Sequence, residues 1–164
     1  MFKKKLFLFV FIIVTMPILA ATPRMTLNHK WMIDNYQSIE ATLSNGEQVS
    51  VIPVINTLVD IWLNRDGAVS GEVSPLIVLA LINNAEPTLI LLSENPDSFS
   101  RWLNELDGMV FTDYTGTEFE KLNNLKIQAI ESMRAYSKYG RSELVLFVHQ
   151  LIEQLESISV RTVD

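Results

Sequence analysis

Cysteine is absent from all 164 residues. The chain therefore forms no disulfide, has no thiolate nucleophile and offers no sulfur ligand to a metal. Histidine is scarce as well, with only His29 and His149. Neither G-x-S-x-G, G-x-G-x-x-G nor a phosphate-binding P-loop occurs, so the sequence marks of common serine hydrolases, dinucleotide enzymes and nucleoside triphosphatases are missing. Paired acids do not converge by spacing either. Glu118 and Glu120 lie two apart and point to different sides of a helix. The expectation leans against an enzyme, with no catalytic residue and no cofactor.

Basic residues are outnumbered, 13 Lys and Arg against 19 Asp and Glu. Three of the basic ones, Lys3 to Lys5, precede an unbroken apolar run from Leu6 to Val14. Pro17 breaks that run, and Ala20-Ala21 supply small residues after it. A basic start, a short apolar centre and a small-residue end are the parts of a secretory signal. The stretch from Leu6 to Ala21 covers 16 positions with Thr15 and Pro17 inside it, short of the roughly 20 apolar residues of a membrane span. Residues 1–21 are thus expected to be a cleaved signal of the general secretory type, and the protein to reside in a bacterial periplasm or outside the cell. Removing them leaves 143 residues, one ordinary domain, with a net charge of −9. Such a surface repels nucleic acid and anionic lipid and favours a basic partner.

Residues 22–27 read as a flexible leader and 161–164 as a tail, with a single helical domain at 28–160. Met32, Tyr36, Ile39 and Leu43 recur at spacings of 4, 3 and 4, one stripe of a helix from Asn28 to Leu43. Ser44-Asn45-Gly46 suits its end. The segment from Val51 to Leu63 is apolar around most of its circumference and reads as a buried central helix with Pro53 in its first turn. Ser74-Pro75, Glu86-Pro87 and Asn95-Pro96 each read as a helix start, and Asp107-Gly108 as the end of the third of these. Residues 109–116 read as an extended loop. Thr115 and Glu118 form a T-x-x-E capping box opening a long helix, with Phe119, Leu122, Leu125, Ala129, Met133 and Tyr136 in its stripe. Gly140 ends that helix, and Ser142 starts the last one. The expected class is all-α: six to seven helices in an irregular bundle or short solenoid-like stack, ending in an antiparallel helical hairpin.

Few residues stand out as sites. His149, Glu153 and Glu156 sit at i, i+4 and i+7 on the last helix and share one face, a partial ligand set for a divalent metal. The competing reading is a solvated helix face. Asn56, Asp60 and Asn64 follow at i, i+4 and i+8 on an otherwise apolar helix and read as its wet side. Asn64-Arg65-Asp66-Gly67 fails as a calcium loop, because aligning its glycine puts Trp62 and Val73 where oxygen ligands belong. Trp31 lies opposite the apolar stripe of the first helix, an anchor of the type found at interfaces. Phe111, Asp113 and Tyr114 sit in a glycine-flanked loop, and such loops often carry recognition. Together these point to an exported protein-binding module, of the kind an immunity protein, inhibitor or chaperone-like adaptor represents, docking an envelope or secreted protein with a basic face. The alternatives are a small-ligand carrier with a cavity between helices 51–63 and 75–92, or a metal-dependent envelope enzyme built around His149.

Overall fold

The computed structural model describes residues 23–163 apart from 46, 66 and 68. The expected export signal, residues 1–21, lies outside them. The order of elements is α1 (Pro23–Asp34), α2 (Tyr36–Asn45), α3 (Gln48–Asn64), α4 (Ser70–Asn83), α5 (Ala85–Ser93), α6 (Pro96–Val110), strand β1 (Thr112–Asp113), α7 (Phe119–Tyr136), a 3-10 turn (Ser142–Leu144), α8 (Val145–Ser157) and strand β2 (Arg161–Thr162). Among the described residues the fold is all-α except for β1 and β2, which pair in parallel with Thr112 opposite Arg161 and Asp113 opposite Thr162. No helix among the described residues is long and apolar enough to cross a membrane.

Helix α4 is the hub, packing against α2, α3, α5, α6 and α7. Its residues Val73, Leu76, Ile77, Val78, Ala80 and Leu81 are all buried. A helix apolar on every side has no stable place except among other helices, which explains its position. The core around it is one continuous cluster drawing on every α-helix, with Trp62, Trp102, Phe99 and Phe111 its largest fully buried side chains.

Several helix limits differ from the sequence expectation. Helix α1 begins at Pro23, within the expected leader. The expected helix 28–43 is two helices meeting at Asn35. There the side-chain amide donates to the Trp31 carbonyl at 2.8 Å and competes with the backbone ladder. Helix α4 starts at Ser70, a full turn before Ser74-Pro75, because Val69 and Val73 are buried. Ser74 is consequently no cap. Its hydroxyl lies in the core, accepting from Trp102 Nε1 at 3.2 Å and contacting Met109 Sδ at 3.6 Å. Helix α6 runs through Gly108 to Val110 because Leu106 and Val110 both face the core. Residues 161 and 162, expected in a tail, are the strand β2. Helices α7 and α8 pack on one another, joined by Arg134 to Glu156 at 2.6 Å and by Lys126 Nζ donating to the Ile158 carbonyl at 2.8 Å.

Candidate functional site

A cleft of about 490 Å³ opens between α2, α4 and the first two turns of α7, closed at one end by residues 109–115. Helical spacing aligns its walls. Tyr36 and Glu40 are four apart on α2, and Gly71, Pro75 and Leu79 form a four-residue ladder on α4. Glu118, Lys121, Leu122 and Leu125 share one side of α7. Apolar groups of Pro75, Leu79, Met109, Val110, Leu122 and Leu125 make the floor. Tyr36, Glu40, Thr112, Tyr114, Thr115, Glu118 and Lys121 supply the polar groups.

Asp113 builds the closing loop. Its carboxylate is 0% exposed. Oδ1 accepts from the Thr115 N–H at 2.9 Å, the Thr115 hydroxyl at 2.9 Å and the Gly116 N–H at 2.8 Å, and Oδ2 accepts from the Glu118 N–H at 2.9 Å. Burial pushes the Asp113 carboxyl up, but these four donors together outweigh it and hold the group at about 2. The carboxylate also sits where the α7 dipole is positive. The expected T-x-x-E capping box is therefore replaced: Glu118 makes no side-chain cap bond, and Asp113 takes the Glu118 amide. Gly116 has φ +74°, the left-handed region that only glycine enters without strain. Strand β2 clamps the loop from outside. Arg161 reaches Asp107 at 3.1 Å and Thr112 Oγ1 at 3.3 Å, and the Val163 N–H donates to the Asp113 carbonyl at 3.0 Å.

Tyr114 turns outward from this frame, 69% exposed at the cleft edge, with its hydroxyl donating to the Gly108 carbonyl at 3.1 Å. The Tyr36 hydroxyl is pushed up to about 12 by burial, and then by Glu40, Glu118 and Glu72. It stays protonated in ordinary buffers. Lys121, the one ammonium on the lining, is tied to Glu118 at 3.0 Å. Beyond the lining, Glu72 contacts His29 Nε2 at 2.6 Å.

The loop singled out in the sequence therefore divides by role. Phe111 and Asp113 are buried and fix the loop, and Tyr114 alone of the three presents its ring to solvent. Trp31 is 36% exposed on α1 and does not line the cleft. On α8, His149 and Glu153 are exposed and Glu156 pairs with Arg134. No group of three or more His, Asp or Glu among the described residues is placed to hold a metal. Asn56 and Asn64 are exposed, and Asp60 accepts from Asn28 of α1 at 2.8 Å and from Asn64 at 3.2 Å. That stripe joins α1 to α3.

Tyr36, Glu40, Leu79, Leu122 and Leu125 were not singled out as site residues in the sequence. Four of them repeat with the helical period, and so do core residues. The signal that was available is D-x-T-G at 113–116. An aspartate followed by threonine and glycine forms an Asx turn that fixes a loop.

Chemically the cleft pairs an apolar floor with the carboxylates of Glu40 and Glu118, the phenols of Tyr36 and Tyr114 and one ammonium, Lys121, tied to Glu118. An apolar floor edged by a few polar and charged groups is an arrangement that suits binding. Comparisons with family models, with curated proteins and with solved structures found no match to this chain.

Proposed function

We propose that the protein is an exported protein-binding module whose cleft, edged by Tyr114, docks a partner with a basic contact face. One observation carries this reading: a preformed cleft of about 490 Å³ with an apolar floor and the carboxylates Glu40 and Glu118 on its lining. Buried apolar contact supplies affinity, and surrounding charge selects the partner and speeds its approach. Tyr114 adds a large ring already held by the Gly108 carbonyl, so little freedom is lost on docking. The acidic balance of the chain points to the same partner chemistry. In this reading residues 1–21 direct export, and the α7–α8 pair is an antiparallel hairpin that holds the α7 wall of the cleft in place.

The test is capture of partners by tagged protein from envelope extract and culture medium at low and high salt. The expected result is one stoichiometric partner at low salt, released at high salt, and recovered several-fold less by Tyr114→Ala. Equal recovery by Tyr114→Ala would move the contact surface elsewhere, with Trp31→Ala the next variant. A second reading, a small-ligand carrier, has one observation in its favour: the cleft volume falls in the range of about 300–1,000 Å³ typical of ligand pockets. Mass spectrometry of the protein under native and denaturing conditions separates the two, since a carrier retains a ligand that denaturation releases.

A further inference from the structure

Three features of the cleft, taken together, narrow what enters it. The first is an unmatched charge. Of its two carboxylates, Glu118 already has Lys121, whereas Glu40 has no ion-pair partner among the described residues. The second is a backbone acceptor. Pro75 lies inside α4 and has no N–H, so the Gly71 carbonyl lacks its i+4 donor. Gly71 and Pro75 both line the cleft. The third is the Tyr36 hydroxyl, four residues from Glu40 and on the same side of α2. Because it stays protonated, it has lone pairs to offer and no negative charge to repel Glu40 further. The lining thus includes Glu40 with its carboxylate, Tyr36 with its hydroxyl and Gly71 with its undonated carbonyl, beside the apolar Pro75, Leu79, Leu122 and Leu125.

We infer that the cleft receives one lysine side chain of the partner protein, its ammonium held by Glu40, the Gly71 carbonyl and Tyr36 and its aliphatic stem lying on Leu79, Leu122 and Leu125. This rests on the binding-module reading above. An ammonium carries three donors and no acceptor on a four-carbon stem, the chemistry that several acceptors beside an apolar floor would recognise. A guanidinium carries five donors in a rigid fork, more than the three acceptors named, so it is the poorer match. An acidic side chain meets Glu40 and Glu118 and is repelled. An uncharged apolar chain leaves Glu40 and the Gly71 carbonyl covered without a donor, which is costly. The stem explains why the acceptors sit over leucines instead of over a polar floor: lysine buries its methylenes and keeps its head on polar atoms.

The probe is Nα-acetyl-lysine N-methylamide, titrated into methyl-labelled protein and followed by NMR. Saturable shifts are expected at the methyls of Leu79, Met109, Leu122 and Leu125. The norleucine analogue, which keeps the stem and lacks the ammonium, is expected to bind more weakly. Glu40→Gln is expected to weaken the lysine probe about fivefold, the scale of one partly exposed ion pair. No saturable shift at these methyls, equal shifts with norleucine, or tighter binding of the arginine analogue would each overturn the assignment. A second arm uses Leu79→Trp, which fills the cleft from the α4 wall, after its melting curve has been compared with the parent. Loss of partner capture by the folded variant supports the site. Undiminished capture overturns the cleft as the site and leaves the binding-module reading standing. Capture of nothing by the parent protein overturns that reading, and with it the assignment of the lysine to a partner protein.

Discussion

Two buried charged residues make opposite statements about the molecule. Asp113 is a carboxylate solvated by the chain itself, with four donors around two oxygens. Its group is held at about 2, below the roughly 3.9 of an unfolded aspartate. A depressed folded pKa means that ionised Asp113 favours the native state fully above about pH 4, and that this contribution fades as the pH falls through about 2. Asparagine at this position keeps one acceptor oxygen but turns an NH2 toward the Glu118 N–H. Asp113→Asn is therefore expected to lower the melting temperature at pH 7, with the gap to the parent narrowing steadily between pH 4 and pH 2. A gap independent of pH in that window would mean that the charge is not what the loop uses. Arg65 shows the reverse case. Its side chain is 5% exposed, stacks on the Trp62 ring, and donates to the Trp62 carbonyl, Ser70 Oγ and Glu105. Burial and then Arg101 pull it down to about 10, against the pull of Glu105. Arg65→Ala removes the ring contact and three hydrogen bonds at once. It is expected to cost about 1–3 kcal/mol in urea unfolding, with little effect on partner capture, since Arg65 does not line the cleft.

At the level of elements, the sequence was most legible where periodicity and end signals agreed. Of the expected inward stripe of the last helix, α8 buries Val148, Leu151 and Leu155 and half-buries Phe147, with buried Leu144 and Ile158 just outside its two ends, and Pro96 sits in the first turn of α6. It was least legible where a proline looked like a start. Pro75 lies inside α4, because two buried valines draw the preceding turn into the helix, and burial outweighs a local rule. The stripe of α7 shows the same limit from another side. Its later members, Ala129, Met133 and Tyr136, are core, whereas Leu122 and Leu125 in its first half are the wall of a cleft. A single helix pattern cannot distinguish the two, because what differs is whether a neighbouring helix fills the space opposite. Helix α7 ends at Tyr136, a turn before the Gly140 that the sequence marks as its end. Gly140 follows Tyr136 by four, and a Cβ at Gly140 would fall on the Tyr136 ring. That ring is buried, and its hydroxyl both donates to Glu86 and accepts from the Arg141 N–H at 3.3 Å, so it cannot move aside cheaply. Gly140→Ala is expected to destabilise by about 1–3 kcal/mol through overpacking, measured by denaturant unfolding, even though the backbone there is not left-handed.

For the whole molecule, the balance of forces separates folding from binding. One core surrounds α4, and no disulfide assists it. The ion pairs Lys30–Asp34, Glu118–Lys121, Arg134–Glu156 and Arg141–Glu86 are largely solvent-exposed. Pairs of this type contribute about 0–1 kcal/mol each and are screened by salt. Against them stands a chain with 19 acidic residues and 13 basic ones, whose self-repulsion salt relieves. Raising salt from about 0.05 M to about 0.5 M, which shortens the screening length severalfold, is therefore expected to leave the melting temperature level or to raise it. Over the same range a partner drawn to Glu40 and Glu118 is expected to associate more slowly and to lose affinity as its cationic contacts are screened. Opposite slopes, measured by thermal unfolding and by partner affinity in the same buffers, would place the acidic residues in recognition. A melting temperature that fell with salt in step with affinity would instead assign them to the fold, and the cleft would lose its electrostatic argument.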